Sequence, residues 1–319
     1  MERSKIPGKV VRTAATLAAF LAFAGAAVAS EGPAPVPAIR WRGPDGEPLP
    51  FRDAAEVAEF LRTARVISSQ EIPTGITRPR KLLLERDGVR AHAVFRYGDD
   101  RKQELRRPGS GTARWVHDTY RNEVAAYELS LLLGMDNLPP AVERRIDGVP
   151  GSVELWIEGA MTEGDRRERD LEPPDYGRWN RQIADRRVFD ELIGNADRNT
   201  GNTLIDGDWK LWLIDHTRAF GREKTLLDPD RVERCSAGLW QGLRSLDAGA
   251  VEERLAPDGR TPDGRTPAGR TPYLSKQRRR ALLARRDRIV ERLEDLIAER
   301  GERWVIFRYG EPAYGIERE

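Results

Sequence analysis

The sequence GNADRNTGNTLI at residues 194–205, followed by LWLIDH at residues 211–216, decides which fold this chain is expected to adopt. Asp197 lies in a polar loop, and Asn202 follows it five positions later. The Asp-Gly pair at residues 206–207 predicts a hairpin turn, and the second strand of that hairpin leads into Asp215. Because a hairpin folds its far end back toward its start, we expect these three side chains to converge.

This constellation fits phosphoryl transfer, a reaction that needs few protein groups. One carboxylate accepts or orients the proton of the nucleophile, and a pair of oxygen ligands holds Mg²⁺ between the nucleotide phosphates. We assign the first role to Asp197 and the two metal ligands to Asn202 and Asp215. The alternative is a surface turn rich in Asp and Asn, followed by an ordinary hairpin. That alternative does not explain a carboxylate directly after the apolar residues 211–214.

The residues before these motifs predict a small lobe of strands with one strong helix. Two apolar runs flank Asp87-Gly88 and predict a hairpin over residues 81–96. Residues 118–133 predict a helix that ends at Gly134. Further elements are expected as a helix at residues 51–64, strands at 142–146 and 151–157, and loops at 68–79, 98–114 and 163–174.

The rest of the chain is predicted to be mostly helical. Apolar residues at helical spacing predict helices over residues 176–193 and 274–300, and residues 228–254 have a helical pattern without definable ends. Three copies of a Gly-Arg-Thr-Pro unit within residues 257–272 predict a flexible insertion. This order of elements indicates an α+β fold with a small β-rich N-terminal lobe and a larger, mainly helical C-terminal lobe.

The N-terminus has the pattern of an export signal. Basic residues precede an uncharged apolar run over residues 14–29, which ends in the small-residue motif Ala27-Val28-Ala29. We expect a signal peptide over residues 1–29, cut after Ala29, then a Pro-rich lead-in over residues 30–50 and a periplasmic or secreted location. An uncleaved N-terminal anchor is the alternative. No later stretch is apolar enough to span a membrane.

Charge and cysteine content exclude several classes of partner and site. Residues 1–29 carry a net charge of +3 and the whole chain +2, so the remainder carries −1 and gives no reason to expect nucleic acid as a partner. Cys235 is the single cysteine, which excludes an internal disulfide and a cysteine-based metal site. His92 and His117 lack the spacing of metal ligands. We expect a monomer.

Two motif blocks resemble those of atypical kinases. Asp197-Arg-Asn-x-x-Asn202 is similar to the D-R-H-x-x-N catalytic loop of phosphoinositide kinases, and Ile214-Asp215 followed by residues 216–220 resembles their I-D-F-G metal-binding turn. The same layout occurs in HipA-type bacterial kinases and in secretory-pathway protein kinases. The resemblance covers about residues 66–300 and implies a two-lobed, protein-kinase-like fold that binds ATP with Mg²⁺ or Mn²⁺. Asn199 in place of His, and His216-Thr217 in place of Phe-Gly, depart from the pattern.

The resemblance also implies a division of labour between the lobes. Residues 51–160 would form a nucleotide-binding lobe, and residues 161–319 a catalytic and metal-binding lobe. The first lobe should supply a cation for the phosphates and a carboxylate to hold it. Glu123, beside the apolar stripe of its predicted helix, is the candidate carboxylate, with a solvated Glu as the alternative. Arg96 stands where related kinases use Lys, so either Arg96 or Lys81 fills that role, or the role is vacant.

Two further segments are candidates for nucleotide contacts. Residues 68–77, with Gly75, occupy the position of a phosphate-covering loop, although one glycine equally fits a plain turn. Glu154-Leu155-Trp156 resembles the hinge between the lobes, whose backbone would meet adenine. A buried strand is the alternative for that tripeptide.

The leading hypothesis is therefore an exported atypical kinase that transfers the γ-phosphoryl group of ATP to a hydroxyl of a protein, lipid or small molecule. The alternatives are a catalytically inactive pseudokinase that serves as a binding or scaffold module, and a nucleotidyltransferase on the same fold. Arg96, Asn199 and the residues after Asp215 favour the pseudokinase, as does the scarcity of ATP expected outside the cytoplasm. The presence of Asp197 and both metal-ligand candidates favours the enzyme.

Overall fold

The computed structural model describes residue 1 and residues 41–73, 78–99, 101–106, 113–256 and 272–311, with only the backbone described at 101–106 and 113–116. Apart from residues 1 and 272, the predicted signal peptide and the predicted repeat insertion lie outside these ranges. Gly75 and the first half of the Pro-rich lead-in also lie outside them.

A five-stranded antiparallel sheet forms the N-terminal portion of the molecule. The strand order is β1-β2-β3-β7-β6, and a separate two-stranded ladder pairs β4 with β5. The elements are α1 (Ala54–Thr63), β1 (Arg65–Glu71), β2 (Arg80–Arg86), β3 (Val89–Arg96), β4 (Arg101–Arg106), β5 (Ala113–Asp118), α2 (Tyr120–Leu132), β6 (Ala141–Ile146) and β7 (Val149–Leu155).

Asp-Gly turns close two of the antiparallel connections in this sheet, β2 to β3 and β6 to β7. Asp87 and Gly88 have φ values of 54° and 78°, and Asp147 and Gly148 have 52° and 79°. A two-residue turn that matches the twist of its strands needs positive φ at both central positions, which Gly adopts at no steric cost and Asp tolerates. The predicted hairpin over residues 81–96 and the predicted strands near 142–146 and 151–157 are confirmed.

Three segments predicted as loops contain regular structure instead. The predicted loop at residues 68–79 begins inside β1, which runs to Glu71 and pairs with β2. The predicted loop at 98–114 contains β4 and the start of β5. The predicted loop at 163–174 begins with the helix Glu163–Glu168, which Thr162 and Asp165 start with a capping box. An edge strand and a short surface helix bury little apolar surface, so their sequences lack the periodicity that reveals buried elements.

The C-terminal portion is mainly helical. Its elements are β8 (Met161–Thr162), α3 (Glu163–Glu168), α4 (Tyr176–Ile193), β9 (Thr203–Ile205), β10 (Leu211–Leu213), β11 (Cys235–Ser236), α5 (Ala237–Ser245), α6 (Ala248–Leu255), α7 (Lys276–Arg300), α8 (Glu302–Val305) and β12 (Ile306–Phe307). Strands β8, β9 and β10 form a small antiparallel sheet, and β11 pairs with β12 in parallel. The two long predicted helices are confirmed as α4 and α7. Within the described ranges, no helix has both the length and the apolar character needed to cross a bilayer.

Helix α2 packs in the core of the helical portion, although it precedes β6 and β7 in the chain. Its residues Ala125 and Leu129 share one apolar cluster with Phe189 of α4 and Leu293 of α7. A second cluster holds the apolar faces of α1 and the five-stranded sheet. Helix α2 is therefore anchored to α7 and to α4, the helix that leads into the predicted catalytic loop. The predicted boundary between the lobes at residue 160 stays a prediction.

Candidate active site

The C-terminus of α4 delivers the loop that carries Asp197. Gly194 ends the helix in the left-handed conformation, with φ of 64°. Asn195 folds back onto the helix, where its backbone N–H donates to the carbonyl of Asp190 at 2.8 Å. The side-chain oxygen of Asn195 accepts from the backbone N–H of Asp197 at 3.1 Å, which makes an Asx turn. The backbone at Asp197 is thereby held against the helix end.

The hairpin of β9 and β10 brings Asn202 beside Asp215. The two strands are antiparallel partners, and the N–H of Ile214 donates to the carbonyl of Asn202 at 3.3 Å. The amide nitrogen of Asn202 donates to the carbonyl of Asp197 at 3.1 Å. Asp215 follows Ile214 with φ of 58°, a conformation that is uncommon for a residue other than glycine. The three residues predicted to converge therefore lie together.

Arg198 supports this arrangement from the interior. Its side chain is 5% exposed and forms an ion pair with Asp190 at 3.0 Å. It also donates to the carbonyl of Ile214 at 2.9 Å and to the carbonyl of Asn202. Its Nη2 lies 3.0 Å from Nε2 of His216. Because a guanidinium only donates hydrogen bonds, Nε2 of His216 is the acceptor.

His216 and Glu123 join the turn after Asp215 to helix α2. The backbone N–H of His216 donates to Oε2 of Glu123 at 2.8 Å, and ring Nδ1 lies 2.8 Å from Oε1. With Nε2 accepting from Arg198, Nδ1 carries the proton and donates it to Glu123. Both side chains are buried. The hydrogen bonds of Glu123 thus reach the turn that carries Asp215.

Arg96 lies in a buried cluster with Glu123 and Glu154. The Nη1 atom of Arg96 lies 3.3 Å from Oε1 of Glu154, and Arg96 is 8% exposed. Burial raises the pKa of Glu154 well above the usual range, against the opposing charge of Arg96 and with the help of Glu123 and Asp215. Burial acts in the same direction on Glu123, but His216 and Arg96 outweigh it and lower the pKa of Glu123. The two carboxyl groups of the cluster therefore shift in opposite directions, with the pKa of Glu154 raised and that of Glu123 lowered.

Asp197 is held by Arg218. Nη1 of Arg218 donates to Oδ2 of Asp197 at 2.9 Å, and its Nε donates to Oδ2 of Asp118 at 3.0 Å. Burial raises the pKa of Asp197, and the neighbouring Asp215 adds to this effect, while the charge of Arg218 opposes it. The net direction is upward, which makes this carboxylate a better proton acceptor than a solvated aspartate.

Asn202 and Asp215 offer the oxygen ligands that suit Mg²⁺ or Mn²⁺. The amide nitrogen of Asn202 is engaged by Asp197, and no hydrogen bond reaches its Oδ1 from any described residue. Oδ1 of Asp215 accepts from the hydroxyl of Thr217 at 3.1 Å. Two protein ligands completed by substrate phosphates are a common arrangement for Mg²⁺. In the part of the chain that the structure describes, no group of three or more His, Cys, Asp or Glu is arranged to hold a metal ion.

The predicted hinge residues lie at the end of β7. The ammonium group of Lys81 lies 4.1 Å from the ring centroid of Trp156, outside the hydrogen-bonded cluster of Arg96. The backbone N–H of Trp156 donates to the carbonyl of His92 at 3.0 Å. Glu154 is predicted as a hinge residue because of its backbone. Its side chain is buried beside Arg96, so it also brings a carboxyl group into the site.

Sequence reasoning missed Asp118 and Arg218. Asp118 is 2% exposed at the end of β5, and sequence pattern alone places it at the start of a helix. Arg218 lies three residues after Asp215, in the segment 216–220 that follows the predicted metal ligand. The one available signal is charge balance, since Asp197 and Asp215 together call for a cation and Arg218 is the basic residue just after them.

Comparison with known proteins supports the same architecture. A structure described as hydra Fam20 with sugar is 17% identical, with a TM-score of 0.58, and the match covers 81% of this chain and 93% of that one. A Golgi casein kinase with Mn/ADP bound is 18% identical, with a TM-score of 0.54 and coverage of 79% and 78%. No protein-family model matches the sequence, and no curated protein does. The chain thus has the predicted two-lobed, protein-kinase-like α+β fold.

Proposed function

We propose that this chain is a metal-dependent kinase that transfers the γ-phosphoryl group of ATP to a hydroxyl group. The observation that carries the proposal is the convergence of Asp197, Asn202 and Asp215 within a kinase-like fold. The buried cluster of Arg96 adds support, because its charge lies close to Asp215. The acceptor belongs to the class of proteins, lipids or small molecules that present a hydroxyl.

Asp197 acts as the proton acceptor in this reaction. The acceptor oxygen forms a bond to the γ-phosphorus, the bond from that phosphorus to the β,γ-bridging oxygen breaks, and ADP leaves with the bonding electrons. The hydroxyl proton passes to the carboxylate of Asp197. Its raised pKa suits this task, because a base acts best when its pKa approaches the working pH.

Asn202 and Asp215 would hold the divalent ion, and Arg96 would contribute positive charge from the N-terminal lobe. When bound, the ion would neutralise charge on the phosphate oxygens. The Golgi casein kinase with Mn/ADP bound supports Mn²⁺ and nucleotide as ligands of this fold. Trp156, which directly follows β7, would contact the adenine ring.

The first prediction separates binding from chemistry. Asp215→Asn should abolish metal-dependent nucleotide binding, because it removes the charged metal ligand, while Asp197→Asn should keep binding and lower turnover by about 100-fold or more. Binding is measured by thermal shift with ATP and Mg²⁺ or Mn²⁺, and turnover by release or transfer of γ-labelled phosphate.

Asp208→Asn is the matched control, since Asp208 is exposed in the turn between β9 and β10. It should change neither quantity. Nucleotide binding by the wild-type chain that is insensitive to Asp215→Asn would contradict the proposal. Label transfer from α-labelled rather than γ-labelled ATP would indicate nucleotidyl transfer instead.

A pseudokinase is the second candidate, and the ion pair of Arg218 with Asp197 favours it. That pair occupies one oxygen of the proposed base at 2.9 Å, where a substrate hydroxyl would otherwise bind. Nucleotide binding without any metal-dependent turnover in the presence of protein, lipid and sugar acceptors would support this candidate.

Export is part of the proposal. The pattern of residues 1–29 supports it, as does the fold shared with a Golgi kinase. N-terminal sequencing of the chain recovered from outside the cytoplasm should start at Ser30. Recovery of an unprocessed chain from the cytoplasm would count against export and leave the kinase proposal intact.

A further inference from the structure

Arg218 bridges two carboxylates at the heart of the proposed site. Its Nε donates to buried Asp118 and its Nη1 donates to Asp197. Its side chain remains 15% exposed, and no hydrogen bond joins its Nη2 to any described residue. The guanidinium is therefore held in place at two of its nitrogens, while the third remains as a donor for a ligand.

The other cations near the site are placed differently. Arg96 is bonded to Glu154 and surrounded by the carboxylates of Glu123 and Asp215, which compensate its charge. Lys81 packs against the ring of Trp156. Arg218 is thus the cation in direct contact with the proposed proton acceptor.

Contact with Asp197 places Arg218 beside the reacting groups. The acceptor hydroxyl must lie within hydrogen-bond reach of Asp197 to give up its proton, and its oxygen must lie close to the γ-phosphorus to attack it. A guanidinium bonded to the same carboxylate is one hydrogen bond away from the nucleophile. It is therefore next to the phosphoryl group under attack.

The chemistry of arginine suits that position. The transferred phosphoryl group spreads negative charge over three oxygens in the transition state, and preorganised donors stabilise such charge strongly. Guanidinium donors match phosphate oxygens in geometry and keep their charge at any working pH. Asp118 is too buried to contact the substrate that accepts the phosphoryl group, and it holds the guanidinium in place through the hydrogen bond from Nε.

We infer that Arg218 is a further catalytic residue, whose guanidinium contacts the γ-phosphoryl group of bound ATP, and that Asp118 is its positioning residue. This inference rests on the proposed kinase function and names the cation that acts in the transfer.

The test compares two nucleotides that differ by the γ-phosphate and needs no knowledge of the acceptor. Calorimetry with Mg²⁺ or Mn²⁺ gives the Kd of ADP and of a non-hydrolysable ATP analogue. Arg218→Met should weaken the analogue by about 10- to 100-fold, as expected for loss of a charge-assisted hydrogen bond, and leave ADP unchanged. Asp118→Asn should shift the ratio of the two Kd values in the same direction and by less.

Arg222→Met is the matched control, because Arg222 is an exposed arginine in the same segment, and it should leave both Kd values unchanged. If the Met variant fails to fold, Arg218→Lys serves for the same test, because it keeps the positive charge and removes the planar set of guanidinium donors. An unchanged ratio in Arg218→Met, or faster γ-phosphate release, would overturn the inference and make Arg218 a structural partner or a block on Asp197. If the wild-type chain binds neither nucleotide, the proposed function itself fails.

Discussion

His216 shows how one buried side chain connects several parts of the site. Its ring donates to Glu123, accepts from Arg198 and packs edge-on against Phe189 at 5.9 Å between ring centroids. Arg198 belongs to the loop of Asp197, and Glu123 belongs to α2. His216 stands where the resembling families have Phe. It joins two parts of the site because an imidazole can donate a hydrogen bond at one edge and accept one at the other.

We predict that replacing His216 destabilises the protein, and that the loss depends on whether the new side chain still donates a hydrogen bond to Glu123. His216→Phe should cost about 3–5 kcal/mol of the free energy of unfolding, because it removes the buried partner of a carboxylate. His216→Asn should cost less, since the Asn amide can donate from nearly the same place as Nδ1. Urea denaturation measures both variants. Equal losses would show that the hydrogen bond to Glu123 is not what His216 supplies.

Helix α2 acts as the element that holds the turn after Asp215. Besides Glu123, it carries Asn122, whose amide nitrogen donates to the carbonyls of Thr217 and Ala219 at 2.6 and 3.1 Å. The amide oxygen of Asn122 accepts from Arg278 of α7 at 2.5 Å. The turn is therefore clamped between α2 and α7, which explains how it keeps its position without the glycine that the resembling families have there.

Helix α5 packs so closely on the end of α2 that only glycine fits at the contact. A Cβ at Gly242 would lie 2.6–2.9 Å from backbone atoms of Leu133, whereas a Cβ at Gly238 would meet no heavy atom within 4 Å. We predict that Gly242→Ala costs about 1–3 kcal/mol of stability through overpacking. Gly238→Ala, in the same helix, should be neutral or gain up to about 1 kcal/mol from helix propensity. Thermal unfolding of the pair measures the contrast, and equal melting temperatures would refute the close contact.

The stability of the whole molecule should depend on pH through Asp185. This residue of α4 accepts from the backbone N–H of Ser236 at 2.7 Å and from the hydroxyl of Tyr309 at 2.9 Å. Burial raises its pKa from 3.8 to about 6, against the hydrogen bonds that favour the charged form. Between these two values the folded protein holds a proton that the unfolded chain has released, so stability falls as pH rises through that window.

We predict that Asp185→Asn removes this component. Relative to the variant, the wild-type protein should lose up to about 3 kcal/mol between pH 4 and pH 7. Urea denaturation at several pH values gives the difference, which should become independent of pH below about pH 3, where the carboxyl is protonated in both states. A difference that stays constant across this range would show that Asp185 does not titrate with a raised pKa.

The elements that sequence reasoning recovered depend on interactions between near neighbours. Each of these signals acts over a few residues and can therefore be recognised in the sequence. They are the Asp-Gly turns, the glycine that ends α4 and the apolar spacing of α7. The convergence of Asp197, Asn202 and Asp215 could also be anticipated, because one short hairpin joins them. Strands β1 and β4 could not be predicted, because their polar sequences lack the apolar alternation of a half-buried strand, although each pairs with the next strand along the chain.

By itself, the sequence determined the kinase-like motif blocks, the hairpins and the long helices. Only the tertiary structure decided which charges compensate one another. Arg218 meets Asp118 across 100 positions, and His216 meets Glu123 across 93. Burial then raised the pKa of Glu154, whereas His216 and Arg96 outweighed burial and lowered the pKa of Glu123. The physical reason is that ion pairing and desolvation depend on distance in space and on the surrounding dielectric, which folding sets and no local pattern of residues records.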